Sequence, residues 1–417
     1  MNILAASFTV ILGLLVGSTA VAQASTIQPE AVGMSSERLR RVDTLMARLQ
    51  AEGKLAGAVT VVARRGQLVQ HKAYGFADLE TRRAMQSDDI FQIQSMSKPI
   101  ASVAVLMLLE EGRLLLSDPV AKFLPEFRDM KVALAKADEP HGFVLVPVQR
   151  GITVHDLLTH RAGFPGLPSA NTPAEAQRRL ALQALHAKGE FTLEQLVQTL
   201  ASTPLDSQPG SVFKYGPASE VLGRLIEVLS GQPLAEFLHE RVFQPLGMTN
   251  TSFVLPAHKH GRVVTAYARS ADKGLVKLAP DALSPRLHST GGNLFSTPTD
   301  YLRFCQMLLN GGELGGQRLL SRKTVELMTA RHVESLPAAF QAGQYFGLGV
   351  AVRTAGGESG LIGSAGAYGW NGGYNTYFRI DPQEKLILLL FVQQAFLPTE
   401  LELQYGFHNT VMQAIED

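Results

Sequence analysis

The apolar positions of this chain change period along its length. In "SSERLRRVDTLMARLQAEG", Leu39, Val42, Leu45, Met46 and Leu49 recur at helical spacing before a glycine, which predicts a helix with one buried stripe and a stop. "AGAVTVVARRGQLVQHKAYGFAD" then reads as two strands joined at Arg65-Gly66, the pattern of a hairpin. Three more strands are predicted far along the chain, in "YFGLGVAVR", "GGYNTYFRIDP" and "KLILLLFVQQ", with a turn at Asp381-Pro382. "TELELQYGFHNTVMQAIED" closes the chain as a helix opened by a Thr399-x-x-Glu402 capping box. From about Ile100 to Leu294 the punctuation is that of helices and loops, as in "FTLEQLVQTLAST" and "PASEVLGRLIEVLSG".

This pattern predicts an α+β fold. Residues 25–99 and 295–417 would build an antiparallel sheet from both chain ends, flanked by helices as an α/β sandwich. Residues 100–294 would form an inserted, mostly helical all-α region, with a site in the cleft between the two parts. Ahead of them, "MNILAASFTVILGLLVGSTAVAQA" is an apolar run followed by small residues in A-x-A spacing. It predicts a signal peptide over residues 1–24, cleaved near Ala22 or Ala24, a periplasmic or secreted product, and no membrane span after its removal.

Composition narrows the partners. The 417 residues are 46% hydrophobic, enough for a large core, and 38 basic against 37 acidic side chains leave a net charge of +1 without like-charge blocks. That balance argues against nucleic acid. The single cysteine, Cys305, sits on the apolar face of "DYLRFCQMLLNGG", so a buried thiol is expected and an internal disulfide or four-cysteine zinc site is excluded. No metal and no organic cofactor is expected. His155, Asp156 and His160 in "TVHDLLTHRAGF" lack the H-E-x-x-H order and read as helix-surface and loop groups, and no G-x-x-x-x-G-K occurs. Ser364 in "IGSAG" misses the G-x-S-x-G pattern and reads as a loop serine.

The candidate chemistry lies in an S-x-x-K pair. From this composition about one chance match is expected. The chain has three: Ser95/Lys98, Ser211/Lys214 and Ser270/Lys273. Ser211 precedes an extended piece, where residues three apart face opposite ways, and Ser270 lies in a polar loop. Only Ser95 and Lys98 stand at the head of a long amphipathic helix, in "FQIQSMSKPIASVAVLMLLEEG", where i and i+3 share a face. Pro99 is tolerated only in a first turn, so the helix should begin close to Ser95, and its unpaired N–H groups would favour an oxyanion there. Read alone, the pair is equally a helix cap beside a lysine that reaches water.

A serine nucleophile needs a second proton-handling group. Tyr215, in a loop between a Pro-Gly turn and a helix opening at Pro217, is the best candidate, although a lone tyrosine there more often only packs. "GWNGGYNTYF" could supply a strand edge toward an oxyanion, with Gly369, Gly372 and Gly373 permitting close backbone approach and Trp370 as a rigid wall. A bulged core strand with a packing tryptophan is the alternative.

With these pieces in chain order, the sequence resembles the serine β-lactamase and penicillin-recognising superfamily, and within it family VIII carboxylesterases, which share the class C β-lactamase fold. The likeness runs from "PEAVGMSSERL" through "GITVHDLLTHRAGF", "PGSVFKYGPASEVLGRLIE" and "STGGNLFSTPTDYLRF" to "YGWNGGYNTYFRIDP". The resemblance implies Ser95 as acylated nucleophile, Lys98 as its activating partner and Tyr215 as general base. It also implies an oxyanion hole from the Ser95 and Gly373 N–H groups, and substrate contacts at Trp370, Asn371 and Gly372. Two departures bear on the substrate. Tyr215-Gly216-Pro217 replaces Tyr-x-Asn, and Trp370-Asn371-Gly372 replaces Lys-Thr-Gly, which removes an amide and a cation that would hold a β-lactam. The expected partner is therefore a small-molecule carboxylic ester of short to medium acyl chain, with a β-lactam as a secondary substrate. β-Lactamase, D-alanyl peptidase or acyltransferase activity, or a non-catalytic peptidoglycan-binding relative, are the alternatives.

Overall fold

A computed structural model describes residues 26–417 except 140–141, 167–171, 271, 280–285, 335, 337–341, 356–359 and 396–400. The apolar leader and Thr399, with its expected capping box, lie outside the described residues. Eight strands form one antiparallel sheet: β1 (Gly57–Arg64), β2 (Gln67–Asp78), β3 (Arg83–Ala84), β4 (Gln344–Phe346), β5 (Ala351–Arg353), β6 (Tyr368–Asn371), β7 (Tyr377–Asp381) and β8 (Leu386–Val392). Their order is β4-β5-β6-β7-β8-β1-β2-β3, so the two chain ends meet where β8 pairs with β1, Val61 opposite Leu389. The β1–β2 turn has positive φ at both central residues, Arg65 at 54° and Gly66 at 75°, as a two-residue hairpin requires.

β1 and β8 are buried along their whole length because helices cover both sheet faces. Val59, Val61 and Ala63 share one face with Ile387, Leu389 and Phe391, under α2 (Ser97–Glu110) and α4 (Pro298–Leu309). Ala58 and Val62 share the other with Leu386, Leu388 and Leu390, under α1 (Arg41–Ala51) and α5 (Glu402–Met412). Strand alternation makes this division, and two-sided burial explains why "KLILLLFVQQ" carries no polar alternation. Cys305, on α4, is fully buried.

Between Ile100 and Leu294 the chain forms α3 (Ala218–Ser230) and helices Pro173–His186 and Leu193–Ala201, but also two hairpins, Lys131–Ala135 with Phe143–Pro147 and Tyr267–Ser270 with Gly274–Lys277. The helix α2, expected to be amphipathic, is buried on every side from Ser97 to Leu108 because α3 packs against it opposite the sheet. "YFGLGVAVR" is two strands rather than one. It doubles back between β4 and β5, and a Cβ at Gly349 would lie 2.0 Å from Ser102 Oγ and one at Gly347 2.2 Å from the Met328 carbonyl. Only glycines let that turn press onto its neighbours. "GWNGGYNTYF" is likewise a hairpin, with residues 372–376 turning from β6 into β7.

Candidate active site

The segment before α2 is held from two sides. Phe91–Gln92 pairs with Phe295–Ser296, and the Ile93 amide donates to the Leu294 carbonyl at 2.9 Å. The chain then turns sharply: Gln94 takes φ 48°, a left-handed conformation that costs a non-glycine residue about 1 kcal/mol. A single 3₁₀ turn, Gln94–Met96, carries Ser95 and runs into α2 at Ser97, with Pro99 inside its first turn. Ser97 Oγ donates to the Gln94 carbonyl at 2.7 Å, and the buried Tyr301 hydroxyl donates from α4 to the Met96 carbonyl at 2.9 Å. Ser95 is thus placed by contacts reaching across the core.

Lys98 is buried, and its Nζ donates to Ser95 Oγ at 2.9 Å and to the Gly291 carbonyl at 2.8 Å. The same ammonium group lies 5.0 Å from the centroid of the Tyr215 ring, a cation–π distance. Tyr215 is anchored by the peptide before it, where the Lys214 amide donates to the His160 carbonyl at 2.8 Å. Gly216 is required after it, since a Cβ there would sit 2.7 Å from the Pro165 carbonyl oxygen. The Tyr215 ring packs against His160 at 4.7 Å and Trp370 at 5.3 Å between centroids, and its hydroxyl accepts from Trp370 Nε1 at 3.3 Å. Ser95, Lys98, Tyr215 and Trp370 therefore form one contact chain drawn from three chain segments.

Of the other predicted residues, Gly372 and Gly373 flank the nucleophile segment. A Cβ on Gly372 would fall 2.4 Å from the Ile93 carbonyl, so close backbone approach is what that glycine provides, whereas one on Gly373 would make only ordinary contact, 3.9 Å from Gln94 Cγ. The amides of Ser95 and Gly373 donate to no acceptor among the described residues. Asn371 differs from the expectation of a substrate contact. Strand alternation turns its side chain away from Trp370 toward α5, where it donates to Gln404 at 3.4 Å, so it meets the cleft only through its backbone. Gln404 in turn donates to Asn375 Oδ1 at 3.0 Å, and Asn375 donates to the Gln394 carbonyl at 3.1 Å, pinning the 372–376 turn from behind.

Two residues not read as part of the site belong to its surroundings. His160, expected as a loop group, is buried under Tyr215. Burial, with help from nearby Lys98, holds its imidazole down at about 3, and its Nδ1 has no hydrogen-bond partner among the described residues. Glu220, on the first turn of α3, is buried, which raises its carboxyl above the usual range, and it accepts from Ser289 Oγ at 2.6 Å and the Gly291 amide at 3.1 Å. No periodicity marks either residue. The only hint in the sequence is an acid five places after Tyr215, at the head of the helix that follows it.

The remaining S-x-x-K matches stand apart. Ser211 Oγ donates to the Gln208 carbonyl while Lys214 pairs with Asp206, and Lys273 is exposed at a hairpin tip. His155 bonds His332 at 3.0 Å, Asp156 caps its own helix through Thr153 and binds Arg150, and the Ser364 amide donates to Asp381 in a loop. Among the described residues no three His, Cys, Asp or Glu side chains cluster to hold a metal, and no helix is long and apolar enough to cross a membrane. A cavity of about 570 Å³, walled by Val264, Leu287 and Phe295, is more apolar than polar. Ser95, Lys98 and Tyr215 do not line it, but among its wall residues Gln92 lies three places before Ser95, Asn293 two places after Gly291, and Tyr374 directly after Gly373.

Known proteins resemble this chain in sequence and fold. The "Beta-lactamase" family model matches residues 42–407. The chain is 35% identical over 358 residues to Protein Rv1367c of Mycobacterium tuberculosis (strain ATCC 25618 / H37Rv), covering 82% of this chain and 86% of that one. It is 37% identical over 232 residues to Esterase EstB of Burkholderia gladioli, covering 55% and 56%. Among solved structures, EstCE1, described as a hydrolase with promiscuous acyltransferase activity, superposes with a TM-score of 0.75 at 27% identity over 90% of this chain and 99% of that one. With the family model spanning most of its length and the eight-stranded antiparallel sheet behind the site, this chain belongs to the β-lactamase family.

Proposed function

We propose that the protein is a serine hydrolase of carboxylic esters working through an acyl-enzyme on Ser95. The observation that carries this reading is the contact of Lys98 Nζ with Ser95 Oγ at 2.9 Å, with the Tyr215 ring against the same lysine. Ser95 Oγ attacks the ester carbonyl carbon as its proton passes to the Lys98–Tyr215 pair, and the oxyanion is held by the Ser95 and Gly373 N–H groups. The carbonyl reforms, the bond to the alkoxy oxygen breaks, and the pair returns the proton to the departing alcohol. Water then loses a proton to the Lys98–Tyr215 pair and attacks the acyl carbon; the bond to Ser95 Oγ breaks, the pair returns the proton to Oγ, and the acid leaves.

Trp370 favours a neutral ester, because an apolar ring stands where the resemblance expects the cation that would hold an anionic antibiotic. The apolar cavity beside the nucleophile segment suits a short to medium acyl chain. The esterase named among the relatives and the hydrolase named among the solved structures support the same class. We place the mature protein in the periplasm or outside the cell, on the strength of the apolar leader alone. N-terminal sequencing of the exported protein should begin after Ala22 or Ala24.

The test compares rates on p-nitrophenyl esters of increasing acyl length with a chromogenic cephalosporin, with intact-mass detection of the adduct. Ester turnover should exceed cephalosporin turnover, a single acyl group should appear on Ser95, and Ser95→Ala should lower ester turnover at least about a thousandfold. Faster cephalosporin hydrolysis would replace the ester reading with a β-lactamase one, and full activity in Ser95→Ala would remove the nucleophile.

A further inference from the structure

The Glu220 carboxylate takes no part in the steps above, yet it is tied to the Lys98–Ser95 pair. Its Oε1 accepts from Ser289 Oγ at 2.6 Å and from the Gly291 amide at 3.1 Å. The Gly291 carbonyl accepts from Lys98 Nζ at 2.8 Å, and Lys98 Nζ donates onward to Ser95 Oγ at 2.9 Å. The loop at 289–291 is strapped to the first turn of α3 a third time, where Thr290 Oγ1 donates to the Ser219 carbonyl. Gly291 has no room for a side chain, since its Cβ would lie 2.2 Å from Glu220 Oε1 and 3.2 Å from Ser289 Oγ. The peptide is therefore seated directly on the carboxylate. Tyr215 reaches the same helix end through the chain, three residues before α3 begins at Ala218. One turn of helix thus sets the position of both groups that face Ser95.

We propose that Glu220 is a positioning residue for the nucleophile: its side chain fixes the 289–291 loop so that the Gly291 carbonyl and Ser95 Oγ together aim the Lys98 amine. The inference rests on Ser95 and Lys98 acting as the Proposed function assigns them. What Glu220 supplies is an acceptor oxygen at a fixed place. Its other oxygen, Oε2, has no hydrogen-bond partner among the described residues, and burial disfavours the charged form, so a neutral amide of the same shape can replace it.

The full-length protein and its Glu220→Ala, Glu220→Gln and Gly291→Ala variants would be compared by the rate at which a fluorophosphonate modifies Ser95, read by intact mass. Steady-state kinetics on p-nitrophenyl acetate and thermal melting would accompany it. Glu220→Ala takes one of two acceptors from the Gly291 amide, leaving Ser289 Oγ at 3.1 Å, and removes the oxygen that anchors Ser289 Oγ itself; labelling should slow at least about tenfold, with kcat falling in parallel and KM within about twofold. Glu220→Gln keeps an oxygen toward Ser289 and Gly291 and should stay within about threefold of the parent. Wild-type labelling in Glu220→Ala would overturn the proposal. So would Glu220→Gln as slow as Glu220→Ala, which would mean that charge and not position matters. Should Glu220→Ala not fold, Gly291→Ala deletes no buried side chain but forces the 289–291 peptide and the Glu220 carboxyl apart, and labelling at the parent rate in that variant overturns the proposal equally. Failure of the Proposed function shows separately, as a parent protein that takes no label on Ser95.

Discussion

His160 gives the protein a calculable dependence on pH. Its imidazole is buried beneath Tyr215 and held at about 3, against an ordinary value of 6.5, first by burial and then by Lys98. The folded protein therefore refuses a proton that the unfolded chain accepts below pH 6.5, and stability falls as pH drops from 6.5 toward 3. Between pH 7 and pH 5 the unfolded state gains roughly 2 kcal/mol from this one group, at about 1.4 kcal/mol per pH unit once below its ordinary value. His160→Asn removes the titration and suits the position, where φ is 53° and asparagine is among the residues that tolerate the left-handed region. Urea unfolding of parent and variant at the two pH values isolates the effect. His408, also held at about 3, is present in both proteins and cancels in the comparison, as do the carboxylates. The parent should lose about 2 kcal/mol more than His160→Asn between pH 7 and pH 5. Equal losses in the two proteins would refute the claim that His160 stays neutral in the fold.

Other consequences are as direct. Trp370→Phe keeps the ring packing on Tyr215 but deletes the indole N–H bond to its hydroxyl, a loss of about 0.5–1.5 kcal/mol, so kcat/KM on p-nitrophenyl acetate should fall about two- to twelvefold; no change would mean the bond does not orient Tyr215. Leu287→Trp should shorten the cavity. Excluding two methylenes at about 0.8 kcal/mol each lowers the octanoate-to-acetate ratio of kcat/KM roughly fifteenfold, and an unchanged ratio would place the acyl chain elsewhere. The Cys305 thiol is fully buried and its pKa pushed well up by that burial, so Ellman's reagent should find one thiol per chain in denaturant and none in native buffer. Rapid native labelling would contradict the packing of α4 against the sheet.

The sequence by itself determined whatever depends on neighbours along the chain. The hairpin at Arg65-Gly66, the stripe from Leu39 to Leu49 and the long apolar strand at 386–392 are written in local period and turn residues. So is the pairing of Ser95 with Lys98, because one helical turn brings i and i+3 together and Pro99 fixes where that turn lies. Its loop position before a helix made Tyr215 a candidate, the resemblance implied its role, and the fold brings it to Lys98 from more than a hundred residues away.

Tertiary structure alone decided which surfaces meet. "YFGLGVAVR" folds back on itself because Gly347 and Gly349 abut Met328 and Ser102, residues far off in sequence that no periodicity registers. Asn371 faces α5 because Trp370, one place earlier, is taken by Tyr215 and Phe346, and a strand cannot turn two successive side chains the same way. Neither Glu220 nor His160 stands out in the sequence; the 289–291 loop closes over one and the aromatic wall over the other. Burial is a property of the assembled core, and it is burial that gives both residues their chemistry.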